Sequence, residues 1–161
     1  MLVGGAVAAL VHGHAPPAGT TLVAVGTGVQ IYGCAPAVDV HAGAAAATAF
    51  AWRLTAPDAL LTDSAGRRVG RHFAGPSWQA EDGSTVVGEL LVASPAPRAG
   101  AIPWLVLRAR SHSGDGVFAG VSYVVRSQTV GGVAPAGGCD AARAGAEVRV
   151  PYSATYTFFT G

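Results

Sequence analysis

The sequence predicts an all-β fold: a single antiparallel β-sandwich or barrel of about nine to ten short strands, with at most one short helical turn. Three observations carry this expectation. Apolar residues alternate with polar or small ones over short runs, the period of a half-buried strand. Gly, Pro and Asp-Gly pairs punctuate those runs at regular spacing. No stretch sustains the three-to-four-residue apolar spacing of a helix.

The first eleven residues, MLVGGAVAALV, resemble the apolar part of a signal peptide without its basic leading segment. Residues 1–15 are therefore expected to be a signal-like or N-terminal extension, and residues 16–161 a single β-domain. His12-Gly13-His14 follows, a pair that could bind copper or nickel near a chain end; the plainer reading is a solvated linker before Pro16-Pro17.

Thr20–Val25 and Val29–Cys34 read as two strands, with Gly26-Thr27-Gly28 as the turn between them. Residues 35–47 are low in complexity and read as a loop, with His41 solvated. Phe50–Leu54 alternates clearly, and Ala56-Pro57-Asp58 should break it. Leu60-Leu61 leads to the hairpin turn Asp63-Ser64-Ala65-Gly66, and Arg67–Phe73 returns as its partner. Gly75-Pro76 ends that strand, Ser77–Ala80 starts the next, and Asp82-Gly83 turns into Thr85–Val92. Ser94–Gly100 is a Pro-rich loop, Pro103–Arg110 and Val117–Arg126 are strands around a polar turn, and Thr129–Gly138 is a loop delivering Cys139. Asp140 is placed to cap one helical turn over 141–146, and residues 148–158 form the closing strand.

Composition narrows the function classes. The chain has 161 residues, enough to bury a sizeable core. Only 12% of residues are charged, and the net charge is +1. No basic cluster is present to displace counterions from nucleic acid, so no nucleic-acid partner is expected. No apolar run approaches the ~20 residues of a membrane span. Cys34 and Cys139 belong to no CxxC pair. Two buried thiols or one disulfide fit; a disulfide is preferred, and with the signal-like start it points to a secreted or periplasmic location.

Chemical side chains concentrate in Gly70–Gly83. His72 with Trp78, Arg71, Glu81 and Asp82 could form an acid–base pair or a platform for a sugar ring. The plainer reading puts Trp78 in the core and Glu81-Asp82 at a hydrated turn. Ser111-His112-Ser113 with Asp115 holds the residue types of a hydrolytic triad, but neighbours on a strand point to opposite faces. There is no G-x-S-x-G elbow either. His112 is more plausible as a lone ligand that meets His72 in space. Arg108, Arg110 and Arg126 would suit a carboxylate if the fold set them side by side; the alternative is exposed arginines paired with acids. No cofactor is indicated.

The blocks GVQIYGC (28–34), FAWRL (50–54), GRRVGRHFAGPSW (66–78), DGSTVVGEL (82–90), GAIPWLVL (100–107), SHSGDGVFAGV (111–121), GGVAPAGGCD (131–140) and VPYSATYTFF (150–159) resemble the family catalogued as domain of unknown function 3455. The resemblance covers about residues 17–159. It implies an exported β-rich domain in which the Cys34 and Cys139 positions are family features, and it implies no particular activity. The expected function is a secreted binding or structural module for a carbohydrate or small metabolite. The alternatives are a hydrolase or metal-dependent enzyme using His72 and His112, and a self-associating surface protein with exposed sheet edges.

Overall fold

The computed structural model describes residues 19–37 and 49–161. They form eight strands: β1 (Thr20–Pro36), β2 (Phe50–Thr62), β3 (Arg68–Phe73), β4 (Ser77–Ala80), β5 (Thr85–Ser94), β6 (Trp104–Ser113), β7 (Val121–Gly131) and β8 (Glu147–Thr160). Each pairs antiparallel with the next, and β8 returns to β1, so the sheet closes into a barrel. One 3₁₀ turn, Ala141–Arg143, is capped by the Asp140 carboxylate, which accepts from the Arg143 N–H.

The strands are fewer and longer than short-run punctuation suggests. Gly26-Thr27-Gly28 does not turn; it lies inside the 17-residue β1. The two glycines serve close approach instead. A Cβ on Gly26 would lie 2.6 Å from the Tyr156 ring, and one on Gly28 would lie 2.0 Å from the Asp58 carbonyl oxygen. Pro57 likewise fails to break β2. β3 pairs with β2 only from Ala59 to Thr62, so Pro57 sits on a free edge where a missing N–H leaves no ladder bond unmade.

The interior is filled by large aromatic rings set against small residues. Trp78, Tyr156 and Phe158 pack with Ala24, Ala59, Ala80 and Ala154 in one buried cluster. Eight strands enclose about the space that inward side chains can fill, so this pairing of large with small fills most of the lumen as a core.

The barrel has two unlike ends. The lower end carries the turns at 63–67, 81–84 and 114–120, and there Thr160 N–H donates to the Gly19 carbonyl at 2.8 Å. The upper end carries the loops at 74–76, 95–103 and 132–146. At that end β1 is tied by a disulfide from Cys34 to Cys139. β3 and β4 are the shortest strands, at six and four residues. They leave the upper part of β5 without a neighbour on that side, and Leu90, Leu91 and Val92 are exposed there.

Candidate functional site

The β3–β4 hairpin sorts its side chains by strand parity. The register pairs His72 with Trp78 and Arg71 with Gln79. Cross-strand partners share a face, so one pair points into the barrel and the other out of it.

The inner pair is rigid. The His72 and Trp78 rings stack with centroids 4.6 Å apart and planes 10° from parallel. Tyr156 leans on His72 at 5.0 Å and meets Trp78 edge-on at 5.8 Å. His72 Nδ1 lies 2.8 Å from the Ser77 carbonyl oxygen. A carbonyl can only accept, so Nδ1 carries the ring proton. Burial lowers the His72 pKa to about 4, against the opposing pull of the Ser77 carbonyl, and the Arg126 charge lowers it further. The ring is neutral at physiological pH.

The outer pair is polar and open. Arg71 Nε donates to Gln79 Oε1 at 3.1 Å, and its guanidinium lies 4.6 Å above the Phe73 ring centroid. Arg68 pairs with Glu81 at 2.7 Å. Between them runs a groove of about 200 Å³ lined by Arg68, Arg71, Gln79, Ala80, Glu81 and Gly83. Among the described residues Arg71 has no carboxylate partner.

The hairpin thus brings the candidates together in two groups. His72 and Trp78 lie inside; Arg71 and Glu81 lie outside. His112 joins neither. It sits on β6, exposed, with Nε2 2.6 Å from the Val121 carbonyl oxygen. Among the described residues no three His, Cys, Asp or Glu side chains gather as a metal site. His12, His14 and His41 lie outside the described residues.

Asp82 acts as a clamp. Its carboxylate accepts from the Ser84 N–H (2.9 Å), the Ser84 hydroxyl (2.6 Å) and the Val117 N–H (2.8 Å). The Ser84 oxygen in turn accepts from the Phe118 N–H at 3.1 Å. Phe118 is fully buried among the core rings, so the clamp seats a plug at the lower end. The Ser84 hydroxyl and then the Val117 N–H hold the Asp82 carboxyl below its ordinary range.

Arg126 departs from the arginine group that the sequence suggested. Arg108 points outward and pairs with Glu89 at 2.8 Å. Arg126 is opposite Tyr156 and Leu105 in the register and points inward, only 8% exposed. Its Nε and Nη2 donate to the Pro103 carbonyl at 3.0 and 2.8 Å. The parity of β7 is hidden in the sequence because Val124 and Val125 are both buried, the second in a small outer cluster with Val106 and Phe159.

No curated protein and no solved structure matches the chain. A family model described as a protein of unknown function (DUF3455) matches residues 16–160, and the chain belongs to that family.

Proposed function

We propose that this is an exported binding domain whose ligand is a small acid-bearing molecule, such as a uronic acid or another sugar acid, held in the groove on the outer face of β3 and β4. The observation that carries this reading is Arg71. Its guanidinium is fixed by the Phe73 ring below and the Gln79 amide beside it, yet no described carboxylate neutralises it. A planar fork held in place loses little freedom when it engages a carboxylate bidentately. Glu81 leaves Arg71 free because it pairs with Arg68. The groove's roughly 200 Å³ falls below the ~300 Å³ of a typical drug-sized site, which suits a single ring or something shorter. Export is supported by the Cys34–Cys139 disulfide, a bond that persists in oxidising compartments.

A binding role is favoured over catalysis because acid–base chemistry needs a partner group within hydrogen-bond reach. His72 and His112 each engage a backbone carbonyl instead. Titration calorimetry with glucuronate and glucose provides the test. Glucuronate should bind and glucose should not, and Arg71→Ala should weaken glucuronate by about tenfold or more, the loss of one charge-assisted bond. Equal behaviour of the two sugars, or an unchanged affinity in Arg71→Ala, removes the reading.

A further inference from the structure

The upper lumen holds a charge that the described protein does not balance. Arg126 is 8% exposed and forms no ion pair with any described carboxylate. The acid whose charge reaches this region is Asp58, felt at Tyr152, but it is exposed and faces Arg149 at 3.8 Å. His72 beside the cluster is neutral. A buried guanidinium bonded to the Pro103 carbonyl and the Tyr156 side chain, both neutral, still has its charge unpaired, and proteins place an anion against such a group.

Two further polar atoms around the same rings lack partners, and a bonded pair of phenols has a proton to spare. Trp78 Nε1 is a buried donor with no acceptor. Gln30 is 2% exposed, and its Oε1 has no donor. The Tyr152 and Tyr156 hydroxyls lie 2.9 Å apart. Each phenol has one proton and their mutual bond uses one, so the second remains to be given. These groups adjoin one another. Arg126 stands opposite Tyr156 in the register, Tyr156 packs on Trp78, and Tyr152 and Gln30 both pack closely on Gly132, where a Cβ would lie 2.9 Å from the Tyr152 Cβ and 3.4 Å from the Gln30 Cγ. The sequence spends a positive-φ glycine at that point, with the Tyr32 hydroxyl donating to its carbonyl.

We propose that the upper lumen is a binding site for a small carboxylate or inorganic oxyanion, seated on Arg126 with the Tyr152–Tyr156 hydroxyl pair and Trp78 Nε1 as further donors. The guanidinium supplies the charge and the fork, and the phenol and indole supply neutral donors to a second oxygen. Gln30 Oε1, a buried acceptor without a donor, would take a hydroxyl or protonated group of the ligand. The size class is small because the rings fill most of the lumen. This site is separate from the outer groove and does not depend on it.

The experiment is thermal unfolding of the full chain in rising sodium acetate, and separately in rising sodium phosphate, with chloride adjusted to hold ionic strength constant. A ligand that binds only the folded state raises Tm with the logarithm of its concentration, by about 5–10 °C at a hundredfold excess over Kd. A saturating rise with acetate identifies a carboxylate site, and one with phosphate an inorganic oxyanion site; either supports the proposal. Arg126→Met should abolish the rise. If that variant does not fold, the Arg126 Nε–H resonance of the wild-type protein, followed by ¹⁵N NMR, should move and saturate over the same concentrations. No Tm rise beyond chloride together with a fixed Nε resonance overturns the site. So does a counter-ion from the chain itself: Asp39 is the acid outside the described residues, and an Nε shift on Asp39→Asn without added anion would assign the charge partner to it.

Discussion

His72 shows how a residue that looks chemical in sequence becomes structural in place. Its pKa falls from the ordinary 6.5 to about 4 because burial penalises the charged ring. The sign of the consequence follows from which state takes the proton. Above about pH 6.5 neither the folded nor the unfolded chain protonates this ring, and its full contribution to stability is present. As pH falls from 6.5 to 4 the unfolded chain takes up a proton that the folded chain refuses, so stability drops. The whole window corresponds to on the order of 3 kcal/mol. His72→Asn keeps an N–H donor for the Ser77 carbonyl and removes the titration. Urea unfolding at pH 4.5 and 7.5 should therefore show a clearly smaller pH difference in the variant than in the wild type; the same difference in both would contradict the assignment. Sequence reading put Trp78 in the core as one of its alternatives, since a Trp on a short apolar strand is seldom exposed. It could not settle His72, because an imidazole serves equally as a buried donor and as a catalyst, and only the register with Trp78 decides.

At the scale of elements, the punctuation marks were ambiguous in a physical way. Gly26, Gly28 and Pro57 are turn formers by propensity, but glycine also permits close approach and proline is tolerated on a free strand edge. Both alternative uses depend on neighbours distant in sequence: Tyr156 and the Asp58 carbonyl for the glycines, and the short reach of β3 for the proline. The Asp82-Gly83 turn was legible, whereas its grip on Val117 and Phe118, some thirty-five residues away, was not. That grip makes a prediction. Asp82→Ala removes three accepted hydrogen bonds and should raise amide exchange at Val117 and Phe118 by about tenfold or more, while amides at the centre of β1 stay protected. Asp82→Asn keeps an acceptor oxygen and should fall between. Because the folded Asp82 pKa lies below its ordinary value, the clamp is fully present above about pH 4 and is lost as pH falls below it. Unchanged exchange at Val117 and Phe118 in Asp82→Ala would count against the clamp.

At the scale of the molecule, the all-β class and the pairing of Cys34 with Cys139 were readable from alternation and from cysteine count. The choice between sandwich and barrel was not, because closure depends on β8 meeting β1 along nearly its whole length, a contact between the first and last described strands. The disulfide spans 105 positions. In the chain-entropy account a loop of that size contributes about 4–5 kcal/mol by restricting the unfolded chain. Thiol titration in denaturant without reductant should find no free thiol, and reduction should lower Tm by about 10–15 °C. Two free thiols, or a Tm indifferent to reductant, would remove the bond or its importance. The hydrogen bond between Thr160 and Gly19 has a different consequence, one of polarity. The two ends of the described barrel leave from the same pole, and the disulfide-bound loops occupy the other. A domain anchored through either end of the described barrel, to a bead, a surface or a neighbouring polypeptide, presents its disulfide pole outward, and the barrel axis becomes a pointer whose direction follows from the even number of antiparallel strands.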